Sequence, residues 1–266
     1  MNMSGILLQT KKVLFDPLKY LGIPEKYKFL GITFYRSDIY IHVIMLVAAS
    51  IFSLYTLAFV GFVLLTIFIH ELGHAFVAKY FGADLIKVRL MGGFGTTEIN
   101  FDFDSYWSYI LFILGGAFAG IFIGVLLSLI NCYFQNSYID LLVLILFIVN
   151  GANLLPFQPF DGGVIFQLVF LSAGKKFYIW HYSISTLIFI FLVFNTKDLI
   201  LLIVVIYNLF ILYISIKEAN PHKELLLTKQ ALNSKISLIQ KIGILLFYLF
   251  SLSLPILFLF GRTIFS

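Results

Sequence analysis

Long apolar runs separated by short polar stretches make up most of the chain. Runs of about 18 or more residues with almost no charge are typical of transmembrane helices, since about 20 helical residues cross the hydrocarbon core of a bilayer. The pattern therefore predicts an all-α polytopic membrane protein with about six to seven transmembrane helices. The predicted spans are roughly 39–58, 61–80, 106–130, 139–155, 177–193, 198–216 and 242–260.

One segment between the second and third runs has a different period. Residues 83–105 alternate apolar and polar side chains around Gly92, Gly93 and Gly95. Period-two alternation on both sides of a glycine-rich turn is typical of two strands joined in a hairpin. We therefore expect a short membrane-associated β-hairpin after the second helix.

The same segments indicate how the chain is organised. Residues 1–38 are mixed in character and are interpreted as a cytosolic or interfacial segment. Residues 39–173 are expected to form an intramembrane core, followed at 174–266 by further transmembrane helices with a Lys-rich cytosolic loop at 217–241. Within the core, three glycines share one face of the third span and should let another helix approach closely. They are Gly116, Gly120 and Gly124.

Composition and charge support a membrane protein. Hydrophobic residues make up 61% of the chain and charged residues 12%, and a soluble fold of this size could not bury so much apolar surface. The net charge of +5 does not indicate a nucleic-acid partner, because the basic residues lie between the apolar runs. With the N-terminus in the cytosol, all lysines and arginines except Lys197 and Arg262 fall in cytosolic segments. This bias predicts a multi-pass cell-membrane protein with a cytosolic N-terminus.

The second predicted span carries the sequence His70-Glu71-Leu72-Gly73-His74. Residues four apart lie on one face of a helix, so the two imidazoles can bind one zinc ion. The glutamate between them can take a proton from a metal-activated water. The alternative is a pair of buried histidines that fill a helix interface. Three ionisable groups within one turn of a membrane span are costly, however, and such groups are generally functional.

A zinc site of this kind needs a third protein ligand. Because Cys132 is the only cysteine, that ligand must be a histidine or a carboxylate. Asp161 follows Pro156 and Pro159 at the end of the fourth span, where prolines interrupt the helix. Alone, this stretch would be interpreted as a helix end with a capping Asp, but its position on the same side as the His motif favours a ligand. The remaining histidines are less well placed: His42, His181 and His222.

Together these motifs resemble those of the site-2 protease family of intramembrane zinc metalloproteases. Its hallmarks are HExxH and NxxPxxxxDG, which stand here as His70–His74 and as Asn153, Pro156, Asp161 and Gly162. The resemblance implies one Zn²⁺ per chain, with His70, His74 and Asp161 as its ligands. It also implies that Glu71 is the general base and that Asn153 positions the scissile carbonyl or the oxyanion.

The resemblance further implies where a substrate binds. The strand-like segment at Gly92 and Gly93 would add an edge to an unwound substrate, and Pro156 is a further candidate substrate-binding residue. Extended binding is physically sensible because a helical substrate hides its peptide bonds. Two departures leave the subfamily open: Gly116–Gly120 replaces a common Gly-Pro-x-x-Asn element, and Val164 replaces an Arg. We expect a compact form without a PDZ or nucleotide-sensing domain.

We therefore expect an intramembrane zinc endopeptidase that opens to the cytosol and cleaves a membrane-spanning or signal-peptide-like protein or a small precursor peptide. Substrate selection would rest on the membrane core, the short loops or a separate adaptor protein. One alternative is a catalytically inactive relative that binds membrane segments, although the intact Glu71 argues against it. Another is a metal-ion transporter, although the ionisable groups gather at one depth rather than along a path. The high Phe, Ile and Lys content is typical of an AT-rich bacterial genome.

Overall fold

A computed structural model describes residues 24–91, 94–101, 103, 105–157, 160–169, 174–197, 205, 206, 208–210, 212, 213 and 237–265. The elements begin with a strand pair and two helices: β1 (Lys26–Phe29), β2 (Ile32–Tyr35), α1 (Arg36–Phe52) and α2 (Leu54–Tyr80). A second strand pair and two long helices follow: β3 (Ile86–Met91), β4 (Phe94–Ile99), α3 (Tyr106–Phe134) and α4 (Ser137–Asn153). The remaining helices are α5 (Asp161–Val169), α6 (Gly174–Thr196) and α7 (Leu238–Phe265).

Apolar helices dominate, as expected of a membrane protein. Within the described residues, three helical stretches are long and apolar enough to cross a membrane: α2, α3 and Leu238–Pro255 of α7. Shorter apolar stretches occupy α4 and Ile179–Asn195 of α6. The predicted span at 198–216 falls largely outside the described residues, as do 1–23 and most of the Lys-rich loop. The count of six to seven spans and the division at 38 and 173 therefore stay predictions.

The boundary between the first two helices differs from the predicted one. The chain breaks at Ser53, whose backbone is extended (φ −172°) and whose hydroxyl accepts a hydrogen bond from the N–H of Thr56 at 3.0 Å. Gly61, predicted to open the second span, lies inside α2. The reason is that a serine cap satisfies a free N–H at a helix start, whereas a glycine alone does not end an apolar helix.

A four-stranded sheet in the order β1-β2-β3-β4 covers part of α2. The predicted hairpin after the second helix is confirmed as the antiparallel pair β3–β4, and its turn at Gly92 and Gly93 lies outside the described residues. The N-terminal hairpin β1–β2 joins it through parallel pairing of β2 with β3. Apolar residues of the inner strands pack on small residues of α2: Ile32, Phe34, Ile86 and Val88 on Ala75 and Ala78. The sheet is thus seated over the turns that carry the His motif.

A buried ion pair fixes the sheet to the start of α1. Asp38 is 4% exposed and lies 3.1 Å from the Nε of Arg89 on β3. The same carboxylate accepts the backbone N–H of Leu90 at 2.9 Å. The hydrogen bonds that Arg89 donates to Asp38 raise the pKa of the Arg89 guanidinium, so Arg89 stays charged. These bonds hold β3, and with it β4, in one position relative to the helices.

The helices around the His motif pack almost backbone to backbone. A Cβ atom added at Gly73 would overlap the carbonyl group of Gly115 on α3. The predicted glycine face of α3 is confirmed as a close approach, since added Cβ atoms would overlap Asn150 at Gly120 and lie 2.9 Å from a ring atom of Phe147 at Gly124. Small residues at such positions are what allow membrane helices to approach closely.

We predict that Gly73→Ala destabilises the metal-free protein by about 1–3 kcal/mol, because the extra methyl group meets backbone that cannot move aside. The matched control is Gly61→Ala in the same helix, where the nearest atom to the new methyl group would be Leu46 Cδ2 at 3.7 Å. This control should be neutral or slightly stabilising, since alanine is the better helix former by about 1 kcal/mol. Thermal unfolding in detergent with a chelator present measures both, and equal melting temperatures would contradict the packing described.

Candidate metal centre

Three potential ligand atoms meet between α2 and the start of α5. The Nε2 atom of His70 lies 3.0 Å from Oδ2 of Asp161, and that of His74 lies 3.3 Å from the same oxygen. The two Nε2 atoms are 3.1 Å apart. Both histidines are buried. The structure therefore brings together the two histidines of one helix and a carboxylate distant in sequence, a group that could hold a metal ion.

The segment before Asp161 is fastened on several sides. As the prolines predict, α4 ends at Asn153 and the chain leaves the helix before α5 begins. The hydroxyl of Tyr248 on α7 donates to the carbonyl of Leu154 at 2.5 Å. His181 on α6 has its Nε2 atom 2.7 Å from the carbonyl of Pro156. Gly162 lies so close to the carbonyl of Leu154 that no Cβ atom would fit. These contacts set the position of the aspartate.

Hydrogen bonds to the far side of each imidazole fix its tautomer. The Nδ1 atom of His74 lies 2.7 Å from the backbone carbonyl of Phe112, which can only accept. The Nδ1 atom of His70 lies 2.9 Å from Oδ1 of Asn150, whose amide nitrogen donates to the carbonyl of Leu146. Each Nδ1 must therefore carry the hydrogen, and each Nε2 directs a lone pair toward Asp161. This is the arrangement found behind histidines that bind metals.

The donor set fits a divalent metal ion. Two nitrogen lone pairs and a carboxylate oxygen face one another, and Oδ2 of Asp161 is buried without a hydrogen-bond donor in the described part of the chain. Acceptors this close require a cation or added protons between them. Two imidazoles and one carboxylate form a known zinc ligand set. Gly116 leaves the necessary room, because a Cβ atom there would lie 2.5 Å from Nε2 of His74 and 2.7 Å from Nε2 of His70.

Glu71 lies between the two histidines in sequence and faces strand β4. Its side chain is 6% exposed. The hydroxyl of Thr97 donates to its Oε2 atom at 2.7 Å and also lies 3.0 Å from its backbone carbonyl. A Cβ atom at Gly95 would lie 2.5 Å from Oε1. The carboxylate is thus enclosed by the strand that follows the His motif.

Other residues singled out in the sequence lie differently. The side-chain amide of Asn153 donates to the carbonyl of Val149 in its own helix at 3.2 Å, whereas Asn150, one turn earlier, contacts the histidine. Asn153 therefore stays a prediction. Gly92 and Gly93 lie outside the described residues. Sequence reasoning missed Asn150, Thr97, Gly95 and the bond from His181. The only signal for Asn150 was a second polar side chain on the same apolar helix.

Comparison with known proteins finds a zinc metalloprotease relative. No family model matches the chain. A curated zinc metalloprotease of Methanocaldococcus jannaschii is 31% identical over 166 residues, which cover 60% of this chain and 45% of that protein. The chain thus spans less than half the length of this relative. This relative and the two sequence motifs support a member of the site-2 protease family. A solved site-2 protease from the same organism is 21% identical to it, with a TM-score of 0.49 over 73% of this chain and 93% of that one.

We predict that Asn150→Ala lowers the zinc affinity of this protein by about 10- to 100-fold, the usual cost of losing the partner of a metal-binding histidine. Asn153→Ala is the matched control and should keep the affinity, because the described bond of Asn153 is within its own helix. Competition with a chromogenic chelator in detergent measures both. Equal affinities in the two variants would show that the bond to His70 does not support metal binding.

Proposed function

We propose that this protein is a site-2 protease that acts as an intramembrane zinc endopeptidase. The observation that carries the proposal is the meeting of His70, His74 and Asp161 beside the buried carboxylate of Glu71, among apolar helices. The substrate class would be a membrane-spanning protein, a signal-peptide remnant or a small precursor peptide. The family and the zinc metalloprotease relative support the reaction class.

In this proposal the two histidines and Asp161 would hold one zinc ion, which would supply Lewis-acid chemistry when bound. Glu71 accepts the proton of the attacking water and passes it to the leaving amine nitrogen. Its position next to His70 in the same helical turn, and its burial, suit that role. Asn153, at the end of α4, would orient the scissile carbonyl.

The substrate would bind as an extended strand. β4 is an edge strand in the described sheet, since it pairs with β3 alone. An edge strand presents free N–H and C=O groups that an extended peptide can pair with. β4 also contacts Glu71 through Thr97, so a peptide paired with it would pass near the base. The turn at Gly92 and Gly93, together with Pro156, completes the proposed substrate-binding region.

Charge supports an opening toward the cytosol. Lysines and arginines are concentrated in the segments that share a side with the end of α2, and positive residues accumulate on the cytosolic side of membrane proteins. Asp161 follows an interruption between helices, and irregular backbone at membrane depth lies against protein or a water-filled cavity. Such a cavity would admit the water that hydrolysis consumes.

The arrangement of buried ionisable groups argues against ion transport. A transporter needs such groups along a path through several helices. Among the described residues, the other two buried groups of this kind have structural contacts: Asp38 pairs with Arg89, and His181 holds the carbonyl of Pro156. A catalytically inactive relative would not need Glu71, and the cleavage experiment below separates that alternative.

We predict that the protein purified in detergent contains about one zinc ion per chain, as expected for a single catalytic site. The zinc should be lost in His70→Ala and in Asp161→Ala, and retained in Glu71→Gln. Elemental analysis after gel filtration measures all four proteins. Zinc lost in the His70 variant alone would remove Asp161 from the site, and a wild-type protein that binds no added zinc would overturn the proposal.

We further predict cleavage of a doubly tagged single-span reporter reconstituted with the wild-type protein in liposomes. Glu71→Gln should leave the reporter uncut while holding zinc, because the base is lost but the ligands remain. A chelator should stop cleavage by the wild-type protein, and added zinc should restore it. Zinc binding without cleavage of any reporter, including one with a helix-breaking Gly-Pro pair in its span, would favour the inactive alternative.

A further inference from the structure

Strand β4 directs two alternate residues toward the carboxylate of Glu71. Gly95 and Thr97 are two apart, so they share one face of the strand. Thr97 donates its hydroxyl to Oε2, and the backbone at Gly95 lies against Oε1. One face of β4 therefore determines where both carboxylate oxygens can lie.

This contact matters because the carboxylate is buried. At 6% exposure, Glu71 has little water to replace a lost donor, and an unsatisfied buried carboxylate is costly. The hydroxyl of Thr97 meets this need. As a β-branched side chain, threonine has restricted rotamers, so the hydroxyl is held in place as well as available. A serine in its place would keep the donor with more rotational freedom.

In the described sheet, β4 pairs with a neighbouring strand along one edge only. In the antiparallel register, Gly95 lies opposite Leu90 and Thr97 opposite Val88 on β3. β3 is tied to α1 through Asp38, which accepts from Leu90 and pairs with Arg89. The contact to Glu71 therefore depends on an anchored inner strand, while no described strand pairs with the outer edge of β4.

We infer that Thr97 is a positioning residue for Glu71, through which the proposed substrate-binding strand sets the orientation of the base. The inference rests on the proposed function and adds a residue that neither motif contains. It assigns β4 two roles, since one edge pairs with the extended substrate and one face holds the carboxylate that acts on it. The alternative is that Thr97 merely stabilises the hairpin on α2.

The test compares Thr97→Val, which keeps the shape and removes the hydroxyl, with Thr97→Ser, which keeps the hydroxyl. Thr96→Val is the matched control, because Thr96 is exposed on the opposite face of the same strand. Zinc content, kcat and KM are measured on the single-span reporter in liposomes. We expect Thr97→Val to lower kcat by about 10- to 100-fold, the effect of a displaced reacting group. Its KM and zinc content should be nearly unchanged.

Thr97→Ser should recover most of kcat, and Thr96→Val should behave as the wild-type protein. The inference is overturned if Thr97→Val keeps the wild-type kcat, or if Thr97→Ser is as slow as Thr97→Val. It is equally overturned if zinc is lost or KM rises in step with the loss of rate, because a hairpin defect alone would do that. A wild-type protein that neither binds zinc nor cleaves overturns the proposed function and this inference together.

Discussion

An ionisable side chain inside an apolar helix bundle has to be satisfied by its neighbours, because lipid offers it no hydrogen bonds. That constraint explains the whole arrangement around His70 and His74. Each ring nitrogen on the outer side meets an acceptor, and each inner nitrogen faces Asp161. The three inner atoms are acceptors whose mutual repulsion a divalent cation would remove. The site is therefore costly in the absence of a cation and well suited to a metal ion.

Accommodating these polar groups imposes a second requirement, which is space between closely packed helices. Imidazoles and an asparagine amide can lie between α2, α3 and α4 only where the opposing helix has no side chain. Gly116 opposes the imidazoles and Gly120 opposes Asn150. The same glycine face lets backbones approach, which compensates for the weak hydrophobic drive between helices in lipid. The glycines of α3 thus allow close helix packing and also leave room for the polar side chains of the site. The sequence alone does not distinguish these two roles.

Sequence reasoning succeeded where the information is local. The spacing of His70 and His74 places them on one helical face, and the prolines before Asp161 end α4. It missed residues whose contacts depend on the tertiary structure. Asn150 and Asn153 lie on the same helix, and only the direction of α4 relative to α2 decides which one reaches His70. Thr97 lies 26 residues from Glu71 in an ordinary alternating strand, and nothing in its neighbours marks it. The parallel pairing of β2 with β3 was equally invisible, since parallel strands distant in sequence leave no turn signal.

The free edge of the sheet and the proposed catalytic site have the same physical requirement, which is access to water. A free strand edge at membrane depth is tolerated only against protein or a water-filled cavity, and the proposed hydrolysis at Glu71 would need such a cavity. Thr97 donates a hydrogen bond directly to Glu71. The strand with the free edge and the proposed base would therefore border the same cavity. Water that satisfies the edge is then available to the base, and a peptide that displaces this water along the edge passes the carboxylate. An unwound substrate segment would lose its helical hydrogen bonds and form new ones with β4, at the place where it can be cut. This gives a physical reason for a small sheet within an otherwise helical membrane protein.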